Sequence, residues 1–157
     1  MPHIHDKIDF TVEVFIVHKN TVLLRKHDKY KIWLSVGGHV ELDEDPNAAA
    51  VREVKEEVGL SIKLWDRDHQ AKVFSDGTIG LIAPVFLNCN RISETHQHIT
   101  FVYFAKTQSN VIVQGETEIS DDIHWFTKED LDSSKYDLRE NIKYYAHEAL
   151  AALGNGM

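Results

Sequence analysis

The sequence predicts an α/β fold with a mixed β-sheet. Runs rich in β-branched and aromatic residues, which are typical of strands, alternate with two segments that have helical patterns. Turn residues separate these runs, and no proline- or glycine-rich linker interrupts the chain. Its 157 residues correspond to about one domain. We therefore expect residues 1–157 to fold as a single unit.

The first predicted elements are two strands joined by a tight turn. Residues 10–17 are β-branched and aromatic, residues 18–20 form the turn, and residues 21–24 return as the second strand. A basic loop is predicted for residues 25–31. The short apolar run at residues 33–36 then ends at a pair of glycines.

A helix over residues 46–58 carries clear signals at both ends. Asp45 suits the N-cap and Pro46 the first helical position. Gly59 suits the left-handed position after the last turn, and Leu60 is its apolar follower.

The second half of the chain continues the alternation. Strand-like runs occupy residues 61–64, 80–87, 99–106 and 123–126. Thr127 and Asp130 predict a short turn of helix. The last predicted helix, residues 138–153, has an apolar stripe made of Ile142, Tyr145, Ala149 and Leu153.

Composition excludes several classes of protein. The 17 Lys and Arg residues against 25 Asp and Glu residues give a net charge of −8, which disfavours a nucleic-acid or membrane-surface binder. Cys89 is the only cysteine, so neither an intramolecular disulfide nor a cysteine-based zinc site is expected. With no apolar signal segment and no membrane span, we expect a cytoplasmic protein.

Three carboxylates cluster on one face of the predicted helix at residues 46–58. With Glu53 at zero on a helical wheel, Glu57 falls at about +40° and Glu56 at about −60°. A separate apolar stripe, which can pack on a sheet, consists of Val51, Val54 and Val58.

The carboxylate cluster has two interpretations. It could be a solvated acidic face, with Arg52 and Lys55 as partial counterions. However, the carboxylates repel one another and lie in the C-terminal half of the helix, where the helix dipole disfavours negative charge. A divalent cation would neutralise the negative charge of these carboxylates. Hard ions such as Mg²⁺ or Mn²⁺ are suited to this, because they prefer oxygen ligands.

The segment Gly38–Leu60 resembles a complete Nudix box. Glu44 follows Gly38 after five residues, Arg52-Glu53 follows after seven more, and Glu56-Glu57 precedes Gly59-Leu60. The resemblance implies an α/β/α sandwich with a mixed sheet between helices. It also implies a loop-helix-loop that holds Mg²⁺ or Mn²⁺. The implied reaction is the hydrolysis of a pyrophosphate bond in a nucleoside diphosphate linked to another moiety.

The resemblance also assigns roles within the box. The implied metal ligands are Glu56 and Glu57, with Glu53 as a ligand or general base and a backbone oxygen of Gly37 or Gly38. Arg52 would orient the carboxylates by ion pairing. Glu44 would support the loop, in a salt bridge with Arg52.

Outside the box, a late acidic segment offers further candidates. By the same resemblance, Glu118 or Asp122 would supply an extra metal ligand or the catalytic base. The alternative is an acidic surface loop, since exposed carboxylates are the rule.

Arginine and histidine residues complete the candidate list. Arg25, followed by several lysines, could clamp the anionic end of a substrate, or could belong to an ordinary charged surface. His39 could contact a phosphate or face solvent. His96 and His98 lie two apart on a strand-like segment and permit a metal pair, but no third nitrogen or sulfur ligand is evident, which favours a substrate-pocket role for His98.

The substrate is predicted by elimination. Family markers for ADP-ribose and for dinucleoside polyphosphates are missing from residues 75–78, which favours a nucleoside triphosphate cleaved to a monophosphate and pyrophosphate. An ADP-ribose or nucleotide-sugar pyrophosphatase and a non-catalytic, nucleotide-binding regulatory domain are the alternatives. We expect no nucleic-acid or membrane partner. The sequence does not decide between a monomer and a homodimer.

Overall fold

The computed structural model describes residues 3–28, 30–116 and 119–155. Its strands are β1 Ile8–His18, β2 Thr21–His27, β3 Trp33–Leu34, β4 Val36–His39, β5 Lys63–Leu64, β6 Lys72–Val73, β7 Ile79–Gly80, β8 Phe86–Arg91, β9 Gln97–Lys106 and β10 Ser120–Phe126. Its helices are α1 Pro46–Val58, α2 Lys128–Asp132 and α3 Glu140–Leu153.

Within these ranges, eight strands form one mixed sheet. Its central order is β10-β2-β1-β9-β5, while β3, β4 and β8 pair with β2, β1 and β9. Strands β1 and β9 run parallel, with Asp9 opposite His98 and Glu13 opposite Val102. Strand β4 is antiparallel to β1, with Gly38 opposite Val12 and His39 opposite Thr11. Strands β6 and β7 form a separate hairpin.

Helices cover both faces of the sheet. On one face α1 packs over Val12, Val14 and Val36 through Val54 and Val58. On the other face α3 packs over side chains of β1, β2 and β9, and its residues in this second core are Ile142, Tyr145, Ala146, Ala149 and Leu153. The predicted α/β fold with a mixed sheet between helices is confirmed.

Local signals set both ends of α1 as predicted. The Asp45 side chain accepts a hydrogen bond from the Ala48 amide at 2.8 Å, and Pro46 opens the helix. Gly59 has φ +72° and donates its amide hydrogen to the Lys55 carbonyl at 3.1 Å.

Two differences between the predicted and observed elements have a clear physical reason. Strand β2 continues through His27 where a basic loop was expected, because β10 pairs with it from Phe126 to Ser120. The strand expected at residues 80–87 is interrupted between Gly80 and Phe86. Pro84 lies in this gap and has no amide hydrogen for a ladder. None of the described helices is long and apolar enough to cross a bilayer.

Candidate active site

Arg52 is the centre of a carboxylate network on α1. Its Nη2 and Nε atoms donate to the two carboxylate oxygens of Glu44 at 2.6 and 2.9 Å, a bidentate pair. Its Nη1 atom contacts Glu53 Oε1 at 3.0 Å and Glu56 Oε2 at 3.1 Å. Hydrogen bonding to Arg52 lowers the pKa of Glu44, and the Glu44 carboxylate raises the pKa of Arg52. One guanidinium therefore holds three carboxylates in fixed positions.

Arg52 also connects the helix to the strand before it. Its Nη2 atom donates to the backbone carbonyl of His39, the last residue of β4, at 3.1 Å. Gly38 lies against Glu53, and a Cβ atom at this position would overlap the Glu53 carboxylate. A side chain at position 38 would therefore force the buried Glu53 carboxylate away from its contact with Arg52.

Glu57 is held by a residue from the sheet. Its Oε2 atom lies 3.0 Å from Arg25 Nε, and both side chains are buried. Arg25 Nη1 also donates to Ser120 Oγ at 3.2 Å. The sequence offered Arg25 as a substrate clamp or as a surface charge. The structure places it within β2, where its buried side chain contacts a carboxylate of α1.

Glu56 faces outward beside a broad cleft. Its side chain is 61% exposed, against 3% for Glu53 and 4% for Glu57. The cleft has a volume of about 1270 Å³, and Arg52 and Glu56 form part of its wall. Its apolar lining includes Val51, Leu64, Trp65, Leu81 and Ile82, and its cationic lining includes Lys55, Lys63 and Lys106.

Asp122, one of the two late acidic candidates, is not brought to these carboxylates. Asp122 lies within β10 and is exposed. It pairs in register with Lys26, the residue after Arg25, so its side chain leaves the sheet on the face opposite Arg25 and Glu57. The loop position expected for Asp122 is therefore replaced by a strand position. Glu118 lies outside the described residues.

His39 and His98 contribute to a different cluster. The rings of His3, His39, His96 and His98 surround the fully buried carboxylate of Asp9. Because His39 follows Gly38 on β4, its side chain points away from Glu53, to the face of the sheet that α3 covers. The structure thus places His39, a candidate phosphate contact, and His98, a candidate substrate-pocket residue, together in this histidine cluster.

Sequence reasoning missed two members of the histidine cluster, His3 and Asp9. Both lie far along the chain from His96, and only the parallel pairing of β1 with β9 brings them together. The spacing of His96 and His98 was the one available signal.

Burial, hydrogen bonds and neighbouring imidazoles together set the electrostatics of the histidine cluster. Burial opposes the charged form of Asp9, but hydrogen bonds from the His5 and Ile4 amides and the facing imidazoles outweigh it and lower its pKa to about 2. Burial and neighbouring imidazoles lower the pKa of His98 to about 4.

Comparison with known proteins identifies the class to which this fold and site belong. The family model for the NUDIX domain matches residues 8–148, so the chain belongs to the Nudix family. It is a Nudix pyrophosphohydrolase, of a class that acts on nucleoside diphosphate derivatives and generally uses divalent metals.

Solved structures agree with this assignment. A hydrolase of the Nudix family from Clostridium perfringens is 39% identical, with a TM-score of 0.83 over 92% of this chain and 97% of that one. A MutT Nudix hydrolase from Burkholderia pseudomallei is 19% identical, with a TM-score of 0.65 over 93% and 98% of the two chains.

A third neighbour is the Nudix domain of NrtR from Shewanella oneidensis, solved in complex with ADP-ribose. It is 14% identical, with a TM-score of 0.62 over 94% of this chain and 88% of that one. At this identity, and at that of the MutT protein, the likeness shows the fold alone. The search of curated proteins found no match.

Proposed function

We propose that this enzyme hydrolyses a nucleoside triphosphate to a nucleoside monophosphate and pyrophosphate, with Mg²⁺ or Mn²⁺ held by the α1 carboxylates. The observation that carries the proposal is the Arg52 network, in which a single guanidinium nitrogen contacts both Glu53 and Glu56. Glu57 lies one residue along the same helix and is fixed by Arg25.

The donor set fits a hard divalent ion. Glu53, Glu56 and Glu57 offer carboxylate oxygens, and the backbone of Gly38 adjoins Glu53 and offers a carbonyl oxygen. Oxygen ligands of this kind suit Mg²⁺ and Mn²⁺. When bound, the metal would neutralise pyrophosphate charge and lower the pKa of a bound water.

The residues of the chain perform the remaining tasks. Arg52 and Arg25 hold the carboxylates so that little reorganisation is needed when a substrate arrives. A carboxylate oxygen of Glu53 accepts the proton of the attacking water, with Glu118 as the alternative base. The cleft beside Arg52 and Glu56 is large enough for a nucleotide, and its lysines supply charge for phosphates.

A panel of substrates tests the reaction. The tag-free enzyme is incubated with Mg²⁺ and each of several nucleoside triphosphates, ADP-ribose and nucleotide sugars, in water enriched in ¹⁸O. We expect monophosphate and pyrophosphate from a triphosphate, with one solvent oxygen in one product. Efficient cleavage of ADP-ribose or a nucleotide sugar alone would overturn the triphosphate assignment but preserve the chemistry. Binding of nucleotide without any cleavage would favour a regulatory domain instead.

Two variants separate the candidate bases. If Glu53 is the base, Glu53→Gln lowers kcat by orders of magnitude, while Glu118→Gln leaves kcat close to that of the wild type. The reverse result would assign the base to Glu118. Mg²⁺ titration of each variant shows whether the lost carboxylate is also a ligand, because a lost ligand raises the metal concentration needed for activity.

Two further expectations accompany the proposed reaction. The single cysteine, Cys89, supports a reducing, cytoplasmic compartment, which cell fractionation tests. Analytical ultracentrifugation distinguishes a monomer from a homodimer by the mass of the protein in solution.

A further inference from the structure

The histidine cluster has the dimensions of a metal site. His3 Nδ1 lies 3.1 Å from Asp9 Oδ2 and 3.4 Å from His98 Nε2, and His96 Nε2 lies 3.3 Å from the same Asp9 oxygen. In a tetrahedral zinc site with bonds of about 2.0–2.1 Å, neighbouring donor atoms lie about 3.3–3.4 Å apart. The donor atoms of all four residues lie within 4.8 Å of one another.

We propose that His3, Asp9, His96 and His98 bind a transition-metal ion, with Zn²⁺ as the preferred physiological candidate. The site is separate from the α1 carboxylates, because it lies on the opposite face of the sheet. Its ligands would come from three places in the fold: the N-terminal segment, the start of β1 and the start of β9 with the residue before it.

The orientation of His96 supports a cation at this position. His96 Nδ1 lies 3.0 Å from the backbone carbonyl of Asp6, which can only accept a hydrogen bond, so Nδ1 carries the proton. In the neutral ring, Nε2 then presents a lone pair to the ionised Asp9 carboxylate. His96 is 5% exposed, and within the described part of the chain its Nε2 has no hydrogen-bond partner. The lone pair of His96 Nε2 and the charged Asp9 Oδ2 atom repel each other at 3.3 Å, and a cation bound between them would remove this repulsion.

The same arrangement matches the surroundings of known metal ligands. A metal-binding histidine usually donates its other ring nitrogen to a carbonyl or carboxylate, as His96 does here.

The nitrogen content of the site selects the metal. Three imidazoles and one carboxylate suit Zn²⁺, Co²⁺ or Ni²⁺, whereas Mg²⁺ prefers oxygen ligands. His39 Nε2 lies 3.1 Å from Asp9 Oδ2, which makes His39 an alternative ligand. If His39 is a ligand, the ion would also be tied to β4, whose last backbone carbonyl accepts a hydrogen bond from Arg52. This gives the site a structural role, which is to anchor the N-terminal segment beside the Nudix box.

Calorimetry and spectroscopy test the proposal on the full chain. Protein with its affinity tag removed is stripped with EDTA, dialysed, and titrated with Zn²⁺ in the presence of excess Mg²⁺. We expect one Zn²⁺ per chain. Titration with Co²⁺ should give the intense visible absorption of a tetrahedral site with nitrogen ligands. Neither result depends on nucleotide hydrolysis, so these experiments test the metal site independently of the proposed reaction.

Two variants and a control identify the ligands. His3→Ala and His98→Ala should each weaken Zn²⁺ binding by at least about tenfold and diminish the Co²⁺ absorption. Their side chains are less buried than that of His96, so both variants are expected to fold, which circular dichroism checks. His5→Ala is the matched control, because the ring of His5 contacts Phe10 and only its backbone amide reaches Asp9.

Three outcomes would overturn the proposal. The first is Zn²⁺ binding that excess Mg²⁺ abolishes, which would place the ion at the carboxylates. The second is equal binding by wild type, His3→Ala and His98→Ala. The third is no binding at all, which would leave a proton shared between His96 and Asp9 as the cation in this cluster.

Discussion

Replacement of Gly59 tests how the end of α1 supports the carboxylates. Gly59 has φ +72°, a conformation that costs a residue with a side chain about 1–2 kcal/mol. A Cβ atom would also lie 2.9 Å from both Val113 Cβ and the Val113 carbonyl oxygen. Such overpacking costs about 1–3 kcal/mol, so Gly59→Ala should lose about 2–5 kcal/mol of stability.

Gly77 provides a matched control for this substitution. It also has a positive φ, +91°, but a Cβ atom there would meet nothing within 4 Å. Gly77→Ala should therefore lose only the backbone term, about 1–2 kcal/mol. At about 2–4 °C per kcal/mol for a chain of this size, the expected drop in Tm is about 4–20 °C for Gly59→Ala and about 2–8 °C for Gly77→Ala.

Calorimetry measures both melting temperatures, and Mg²⁺ titration measures the consequence for the site. Glu56 and Glu57 belong to the last turn before Gly59, so only Gly59→Ala should weaken Mg²⁺ binding. Equal Tm values for the two variants would refute the packing argument. Unchanged Mg²⁺ binding in a destabilised Gly59→Ala protein would refute the link between this helix end and the carboxylates.

Three further predictions address charged residues. Arg52→Lys cannot keep the bidentate and bridging contacts, so kcat/KM should fall by at least about tenfold, while Arg67→Lys, at an exposed ion pair, should leave it unchanged. Arg25→Ala removes a buried ion pair with Glu57. This variant should lose about 3–5 kcal/mol of its free energy of unfolding, measured with denaturant, and should bind Mg²⁺ more weakly. Wild-type stability would contradict the role of Arg25 in holding Glu57. Burial raises the pKa of Glu13 to about 7 from 4.5, so the stability it contributes is present at low pH and lost as pH rises through 7. Glu13→Gln should therefore be more stable than wild type by about 3 kcal/mol near pH 9 but similar to it near pH 4, and a pH-independent difference would contradict the buried carboxyl.

Local patterns explain what the sequence predicted well. The ends of α1 depend on Asp45, Pro46 and Gly59, whose effects act within one helical turn. The carboxylate cluster has the same origin, because residues three and four apart share a helix face. The α3 stripe was predictable for that reason as well, and its members Ile142, Tyr145, Ala149 and Leu153 are all buried.

Long-range pairing explains what the sequence did not predict. Arg25 meets Glu57 only because β10 extends β2 and because α1 crosses that face of the sheet. The histidine cluster depends on the register of β1 against β9 and β4, which no local pattern encodes. The position of Asp122 in a strand has the same origin, since that strand is defined by its pairing with β2.

The most direct test of the central claim is product analysis with wild type and Glu57→Gln under identical Mg²⁺ concentrations. Glu57→Gln removes one negative charge and preserves the shape of the side chain. We expect wild type to release monophosphate and pyrophosphate from a triphosphate, to lose this activity in excess EDTA and to regain it with Mg²⁺. The variant should turn over orders of magnitude more slowly while remaining folded. Equal turnover by both proteins, or full activity of wild type in excess EDTA, would contradict hydrolysis by a metal held at the α1 carboxylates.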